Sequence, residues 1–218
     1  MNEDMIEVKR FVFGPFDENT YLLVDPESKE AVIVDPGMWN DADLQRMDQY
    51  IESEGYKLTQ IVNTHLHIDH CIADAYVRDR YGIKVKASAA DAPLGASLPE
   101  QARRFGVRAN VAPVSADIDL KDGDTVNVGR YSLRVIEVPG HSLGGLALYC
   151  AEGGFVLTGD SLFQGSIGRT DLPGGSMSQL VNAVKTRLLT LPPDTLVLPG
   201  HGPATSVGAE KASNMYLR

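Results

Sequence analysis

Short runs of apolar residues, separated by turn-forming residues, dominate the first third of the chain. Residues 5–13 alternate between apolar and polar, residues 20–24 follow the turn-prone segment 14–19, and residues 31–35 are mostly apolar and stop at Pro36-Gly37. Period-two alternation bounded by glycine and proline is typical of strands joined by tight turns. The pattern therefore predicts three β-strands in this part of the chain.

The pattern changes after Asn40. Leu44, Met47 and Ile51 recur at helical spacing and Gly55 follows them, which predicts a helix leading into a strand at residues 60–64. Further strands are predicted at residues 83–87, 131–138, 146–150, 155–158 and 196–198, and helices near residues 73–81, 178–189 and the C-terminal end. Runs of antiparallel-looking strands, closed by helices in each half, predict a layered α/β protein with its sheets inside.

The composition is that of a globular chain. No repeat, low-complexity tract or linker divides the 218 residues, so a single domain over residues 1–218 is expected. A formal net charge of -9 argues against a broad surface for polyanions, and nucleic acid is not an expected partner.

Cysteine content and the ends of the chain bear on its location. Cys71 and Cys150 are too few for a disulfide framework, and the N-terminus lacks a basic segment followed by an apolar one. No apolar run approaches the roughly 18–20 residues that span a bilayer. We expect a cytoplasmic protein that does not contact membranes.

The segment 64–70 places three imidazoles and a carboxylate within six residues, directly after a predicted strand: His65, His67, Asp69 and His70. In an extended segment residues i and i+2 point the same way, so His65 and His67 can reach one ion. If a helix begins near Asp69, then Asp69 and His70 can turn toward a second ion. The spacing therefore allows two metal positions.

The other two histidines and one aspartate follow predicted strands in a similar way. His141 and His201 each come after a strand and a Pro-Gly turn, and Asp160 ends a strand with oxygens that could bridge two cations. A lone histidine is a weak indication of a metal site. All five histidines of this chain, however, lie at strand ends, and imidazole and carboxylate are ligands that Zn²⁺ favours.

These motifs resemble the metallo-β-lactamase fold superfamily, whose signature is H-x-H-x-D-H followed by a distant His, Asp and His. Further resemblance lies in Asn19-Thr20-Tyr21 and in the segments 34–37 and 139–142. The resemblance implies a four-layer αββα sandwich with the metals at one edge of the two sheets. It implies two Zn²⁺, with iron or manganese possible, the first held by His65, His67 and His141, the second by Asp69, His70 and His201, with Asp160 between them.

Within that superfamily, Asp160 resembles hydrolases of the glyoxalase II type, whereas true β-lactamases usually have Cys or Ser at this position. Residues 168–175 resemble compact glyoxalase II-like proteins and persulfide dioxygenases. With 17 residues after His201, the C-terminal helical substrate domain of large glyoxalase II enzymes is expected to be absent. The resemblance implies a hydrolase of a small thioester, similar to hydroxyacylglutathione hydrolase.

Two metal ions would lower the pKa of a water between them toward 7 and supply hydroxide as nucleophile, with Asp69 orienting it. A thiolate leaves with little need for a proton, which favours a thioester substrate. The alternative is a persulfide dioxygenase with one Fe²⁺ on His65, His141 and Asp160. A lactonase and a nuclease of the same superfamily are less favoured, and the oligomeric state is open.

Several arginines are candidate substrate contacts. Arg169 either receives an anionic part of the substrate or pairs with Asp171, and we favour the pair. The cluster Arg103, Arg104 and Arg108 could bind a substrate carboxylate, although a solvated helix face or a subunit contact is favoured.

Two further residues have open roles beside the predicted ligands. Asp35 either orients a ligand or only forms the turn before Pro36-Gly37. Cys71 is interpreted as a packing residue and not as a reactive thiol, because free cysteine is among the most buried residue types.

Overall fold

The computed structural model describes residues 5–107 and 111–218, and its strands form two six-stranded sheets and one small hairpin. In chain order the strands are β1 Glu7–Phe13, β2 Glu18–Val24, β3 Glu30–Val34, β4 Lys57–Val62, β5 Val85–Ala87, β6 Ile118–Asp119, β7 Thr125–Val128, β8 Tyr131–Glu137, β9 Leu146–Cys150, β10 Phe155–Gly159, β11 Leu162–Phe163, β12 Ser166–Ile167, β13 Leu196–Pro199 and β14 Thr205–Ser206. The first sheet has the order β1-β2-β3-β4-β5-β6 and the second β14-β13-β10-β9-β8-β7, while β11 and β12 pair with each other.

Seven α-helices accompany the strands in the described part of the chain. They are α1 Asp41–Ser53, α2 Ile68–Cys71, α3 Asp74–Tyr81, α4 Ala92–Ala96, α5 Leu98–Arg104, α6 Met177–Ala183 and α7 Val207–Ser213. Helix α1 begins where the sequence predicts, because the Asn40 side chain accepts a hydrogen bond from the Asp43 amide at 3.0 Å. None of these helices is long and apolar enough to cross a membrane.

Consecutive side chains along the strands of the first sheet point to opposite faces of the sheet, and the two faces are buried in two different cores. One face packs against the helices of the N-terminal half, in a core that includes Leu22, Ile33, Met47, Ile51, Ile61 and Val77. The other face packs against the second sheet, in a core that includes Leu23, Val32, Val62, Leu133 and Leu148. Burial on both faces explains why β2 is buried along its whole length instead of alternating.

The second sheet is covered in the same manner on its outer side. Its other face joins α6, α7 and the π-helical continuation Val184–Leu188 in a third core, which includes Ile136, Ala147, Val156, Leu180, Val184 and Val207. Helix, sheet, sheet and helix follow one another, so the expected four-layer αββα architecture is confirmed.

The antiparallel interpretation of the strands is wrong for four pairs. β3 pairs in parallel with β4, β4 with β5, β5 with β6, and β10 with β13. Parallel neighbours need a crossover connection, which α1 supplies between β3 and β4 and α6 between β10 and β13. Because these connections carry the chain back along the sheets, β4, β10 and β13 all end at the same edge.

The region between β5 and β7 contains structure that the apolar pattern does not predict. Helices α4 and α5 each have proline in their first turn, and strands β6 and β7 are only two and four residues long. Proline is well tolerated in the first turn of a helix, where its missing N–H would have no partner in the helix. Strand β4 also ends earlier than expected, because the Thr64 amide leaves the sheet and donates to the Asp35 carboxylate at 2.7 Å.

Candidate metal centre

The first group of candidate ligands lies on the loop between β4 and α2. His65 and His67 are in this extended loop, and Asp69 and His70 lie in α2, which begins at Ile68. His67 has extended dihedral angles at the helix N-cap position. The predicted change from extended chain to helix is therefore present, and it directs the two pairs of side chains to two neighbouring positions.

The other three candidate ligands arrive singly, each after a strand of the second sheet: His141 after β8, Asp160 after β10 and His201 after β13. Glycines allow the close approach of these segments. A Cβ on Gly200 would lie 2.4 Å from Asp160 Oδ1 and 2.6 Å from His70 Cε1. No side chain fits at that position while the two ligands keep their places.

Three imidazoles converge in the first cluster. His67 Nδ1 lies 2.9 Å from His141 Nε2, which lies 3.2 Å from His65 Nε2. All three side chains are buried. One nitrogen from each ring thus faces a common point.

The second cluster consists of Asp69, His70 and His201. His201 Nε2 lies 3.3 Å from His70 Nε2 and 3.3 Å from Asp69 Oδ2, while Asp69 Oδ2 is 3.9 Å from His70 Nε2. Asp69 and His201 remain partly accessible, whereas His70 is fully buried. This cluster therefore forms the open side of the centre.

Asp160 lies between the two clusters. Its Oδ1 is 3.4 Å from His70 Nε2, and its Oδ2 is 3.6 Å from His141 Nε2 and 3.5 Å from His201 Nε2. Oδ1 is buried without a hydrogen-bond partner among the described residues. The seven residues proposed from the sequence are therefore all brought together at one edge of the sheets.

The outward-facing nitrogens of four imidazoles have fixed partners. His141 Nδ1 donates to the Arg169 carbonyl at 2.8 Å, and His201 Nδ1 donates to the Phe16 carbonyl at 2.9 Å. His70 Nδ1 lies 3.0 Å from the Asp35 carboxylate. These acceptors place the ring protons on the outward nitrogens and leave the inward nitrogens as lone pairs.

Thr64 completes this arrangement for His65. Its hydroxyl donates to Asp35 Oδ2 at 2.7 Å, so its oxygen is left to accept from His65 Nδ1 at 3.1 Å. Asp35 thus orients His65 through Thr64 and His70 directly. It also forms the turn, with a positive φ of 52°, so both roles considered for it from the sequence are present.

The inward geometry fits a bound cation. The inward lone pairs of His65 and His141 face each other at 3.2 Å, and lone pairs at that distance repel unless a positive charge lies between them. A buried carboxylate oxygen of Asp160 points into the same space. Imidazole and carboxylate are ligands of divalent metals, so the residues present fit such ions.

Electrostatics at the site separates the two clusters. Burial and the neighbouring imidazoles lower the pKa of His65 well below its usual value, and burial lowers the pKa of His67 to about 4. Burial opposes charge on His70, but Asp160 and Asp69 outweigh it and raise the pKa of His70. His65 and His67 are therefore neutral at pH 7, whereas His70 in the second cluster favours a positive charge, which a proton or a metal ion supplies.

Asp91 is a buried carboxylate that the sequence does not single out. It accepts hydrogen bonds from the Leu66 amide at 3.2 Å, the Ser142 hydroxyl at 2.8 Å and the Gly144 amide at 2.7 Å. It therefore ties the loop of His65 and His67 to the loop of His141. No local motif in the sequence marks Asp91 as a structural residue of the site. Its position between two predicted strands is the only signal.

A cavity of about 640 Å³ opens beside the two clusters. Asp69, Asp160 and three of the imidazoles line one side, and apolar side chains line much of the rest: Phe16, Leu94, Phe105, Leu143 and Leu172. Cavities of this size are typical of small-molecule sites.

The remaining sequence candidates have different surroundings. The expected pair of Arg169 and Asp171 is present with two contacts of 2.8 Å, and Arg169 also lines the cavity. Arg103 and Arg104 lie exposed at the end of α5, while Arg108 lies outside the described residues.

Cys71 is fully buried. Its thiol donates to the His67 carbonyl at 3.1 Å, and burial raises its pKa well above the usual value. A buried thiol that is fully protonated at neutral pH has the packing role expected from the sequence.

Two relatives cover essentially the whole chain. The probable metallo-hydrolase YqgX of Bacillus subtilis is 36% identical over 215 residues, which are 96% of each chain. Hydroxyacylglutathione hydrolase GloC of Haemophilus influenzae is 35% identical over 218 residues, covering 100% of this chain and 98% of its own.

Solved structures give the same result. BLEG-1, a B3 metallo-beta-lactamase, has a TM-score of 0.86 at 34% identity over 97% of this chain and 99% of its own. TTHA1623, solved in a di-iron-bound form, has a TM-score of 0.84 at 35% identity over 96% of this chain and all of its own. ETHE1 from Myxococcus xanthus has a TM-score of 0.77 at 29% identity over 96% of this chain and 83% of its own.

The sequence itself also matches a family model. Residues 13–201 match the model of the metallo-beta-lactamase superfamily, a span that includes every residue of the two clusters. Members of this superfamily bind divalent metals, which agrees with the donors that converge here. With two whole-length relatives and the αββα layers in agreement, the chain belongs to the metallo-beta-lactamase superfamily.

Proposed function

We propose that this protein hydrolyses small thioesters with two divalent metal ions, preferably Zn²⁺. The observation that carries the proposal is the convergence of two donor clusters, one on each side of Asp160, at the wall of a cavity large enough for a small molecule. His65, His67 and His141 would hold one ion and Asp69, His70 and His201 the other, with Asp160 between them.

When bound, the metal ions lower the pKa of water and polarise a carbonyl group. The part of the chain itself in catalysis is to place groups around the reacting carbonyl. Asp69 faces the cavity, and its pKa stays below the usual value because, although burial raises it, His70 and the hydrogen bond from His201 outweigh that effect. As an ionised acceptor, Asp69 orients the attacking water by accepting a hydrogen bond from it.

The leaving group decides the substrate class in this proposal. Apart from the proposed ligands, no histidine or lysine among the described residues lines the cavity. The wall therefore offers neither of these side chains as an acid to protonate a leaving group. A thiolate has a pKa near 8.5 and leaves without a proton, unlike an alkoxide or an amide nitrogen. The whole-length likeness to a hydroxyacylglutathione hydrolase supports the same choice.

One second function has an observation of its own. A persulfide dioxygenase would use a single Fe²⁺ on His65, His141 and Asp160. The likeness to ETHE1 is compatible with this alternative, and the di-iron form of TTHA1623 indicates that iron binds to a related centre.

Metal analysis and a comparison of substrates test the proposal. Protein purified without added metal is analysed for bound elements, and thioester hydrolysis is followed with and without oxygen. A β-lactam and a persulfide serve as competing substrates, because BLEG-1 is named a β-lactamase. Two metal ions per chain and oxygen-independent thioester hydrolysis are expected.

Other results would overturn it. One metal per chain that does not change on addition of zinc contradicts the two-metal centre. Strict dependence on oxygen with a persulfide substrate favours the dioxygenase, and faster turnover of the β-lactam than of any thioester contradicts the substrate class.

A further inference from the structure

Arg104 and Phe105, at the C-terminal end of α5, form part of the cavity wall. The ring of Phe105 packs edge-on against Phe16 with centroids 5.3 Å apart, and Phe16 packs in the same way against Trp39 at 5.8 Å. This aromatic row joins α5 to the turn between β1 and β2. This wall adjoins the ligand loops, since the Ile68 amide at the start of α2 donates to Gln101 Oε1 on α5 at 3.1 Å and His201 Nδ1 donates to the Phe16 carbonyl.

Two arginines line the cavity, and they differ in their partners. The guanidinium of Arg169 is already engaged by both oxygens of Asp171, each at 2.8 Å. Arg104 has no carboxylate partner and no hydrogen bond among the described residues, although it is exposed to the cavity. Arg104 is therefore the cavity cation whose charge is available to a ligand.

Most of the other charged side chains that line the cavity are carboxylates, so the position of Arg104 matters for an anionic ligand. Asp69, Asp91, Asp160 and Glu100 also line the cavity, and the chain has a net charge of -9. Asp91 is occupied by hydrogen bonds from three donors, and metal ions would offset the charges of Asp69 and Asp160. Glu100 is four residues before Arg104 on α5, yet the two form no ion pair. A negative ligand group that enters this cavity is thus attracted to Arg104.

We propose, on the basis of the thioester hydrolysis proposed above, that Arg104 selects thioesters that bear a carboxylate. The apolar side chains of Phe16, Leu94 and Phe105 receive the part of the molecule between the carboxylate and the reacting carbonyl. A cavity of about 640 Å³ has room for such an extended ligand, whereas a minimal thioester fills only a fraction of it. Arg104 is a specificity-determining residue and takes no part in bond breaking.

Matched substrates and matched variants test this assignment. S-butyryl-N-acetylcysteine carries the carboxylate on the thiol side and S-glutaryl-N-acetylcysteamine carries it on the acyl side. The methyl ester of each removes only the charge. Arg104→Ala is compared with Arg103→Ala, which removes an exposed arginine from the same helical turn that does not line the cavity.

Arg104→Ala is expected to raise KM about tenfold for the carboxylate member of at least one pair and less than about twofold for both methyl esters, with kcat unchanged. Arg103→Ala is expected to leave all four values within about twofold. Arg104→Lys is expected to restore part of the preference, because it keeps the charge but not the planar fork.

A binding measurement separates this inference from the hydrolysis itself. Thioether analogues, in which a methylene replaces the thioester carbonyl, are titrated into the metal-loaded protein. Binding is followed by calorimetry and by the fluorescence of Trp39, the only tryptophan, which contacts the cavity residue Phe16. If the wild type hydrolyses no thioester, the proposed reaction fails, but a tenfold weaker Kd of Arg104→Ala for a carboxylate analogue still supports the role of Arg104.

Two results would overturn the inference. One is an Arg104→Ala variant that binds and hydrolyses both carboxylate members as well as the wild type does. The other is an equal loss in Arg103→Ala, which would mean that general surface charge, and not the position of Arg104, sets the preference.

Discussion

The two halves of the chain supply the metal centre in different ways. The N-terminal half contributes four candidate ligands from six consecutive residues, and the buried carboxylate of Asp35 orients two of them through the contacts of Thr64 and His70. The C-terminal half contributes three ligands singly, and the two histidines among them are oriented by main-chain carbonyls of Arg169 and Phe16.

This difference teaches where the centre is sensitive to substitution. An orienting carboxylate is lost with its side chain, whereas a carbonyl is lost only when the backbone moves. In the N-terminal half, changes to side chains around the ligands should matter. In the C-terminal half, ligands apart, substitutions that displace a loop should matter, and substitutions that only remove a side chain next to the ligands should not.

Removal of the Asp160 side chain should have the largest effect on activity, because its oxygens face ligands from both halves of the chain. At saturating metal, we expect Asp160→Ala to lower kcat/KM about a thousandfold and to reduce the bound metal. His201→Ala touches only one cluster and should lose less. Activity and elemental analysis of both variants check this, and equal residual activity would contradict the position of Asp160 between two ions.

Asp35→Asn tests the carboxylate in the N-terminal half. Asparagine tolerates the positive φ of 52°, so the backbone is kept while the charge that holds Thr64 and His70 is lost. Metal affinity is expected to fall about 10- to 100-fold, as measured by competition with a chelator.

Asp17→Asn is the matched control for that variant. Asp17 has a φ of 53° but is exposed and lies outside the two clusters. An equal loss of affinity in both variants would show that the turn conformation, and not the Asp35 carboxylate, is what matters.

Gly168→Ala tests the backbone in the C-terminal half. A Cβ there would lie 1.8 Å from the Asp160 carbonyl and 3.1 Å from His141 Nδ1, so the segment that holds the Arg169 carbonyl must shift. We expect kcat/KM to fall about tenfold and the free energy of unfolding to fall by about 1–3 kcal/mol. Gly165→Ala is the control, since its φ of 68° disfavours alanine but its Cβ would meet no atom within 4 Å. A larger loss of activity in the control would exclude this explanation.

Arg169→Ala should have the smallest effect. It removes an exposed side chain paired with Asp171 but keeps the carbonyl that orients His141. The change in kcat/KM is expected to stay within about threefold and to be equal for charged and neutral thioesters. A stable variant with a KM defect confined to anionic substrates would show instead that the guanidinium binds substrate.

The sequence predicts the ligands better than their surroundings, for a physical reason. The positions of His65, Asp160 and His201 follow from strand ends, which depend on local apolar runs and turn residues. The carbonyls that orient two of the imidazoles leave no trace in residue type, since every residue has one. Their role depends on how distant loops meet, and only the folded chain shows this.

The region of α4 and α5 illustrates the same limit on the fold. The apolar runs of β2 and β10 predict buried strands correctly, but their direction depends on crossover helices, and the antiparallel interpretation therefore failed for four pairs. The segment that contains α4 and α5 has weak local signals, yet it supplies Asp91 and much of the cavity wall.

The contacts between β2 and the end of β13 determine when the metal centre can assemble during synthesis of the chain. The amide of Asn19 donates to the Gly200 carbonyl at 2.7 Å, and Glu18 forms a β-bridge with His201. These contacts of β2 can form only after β13 has been synthesised. His70 and His201 are 131 residues apart. At a synthesis rate of about 5–20 residues per second, the ligand loop leaves the ribosome roughly 7–26 seconds before its partner. A metal ion that needs both His70 and His201 is therefore bound only after His201 has been synthesised, and during that interval the histidines of the ligand loop have an incomplete set of partners.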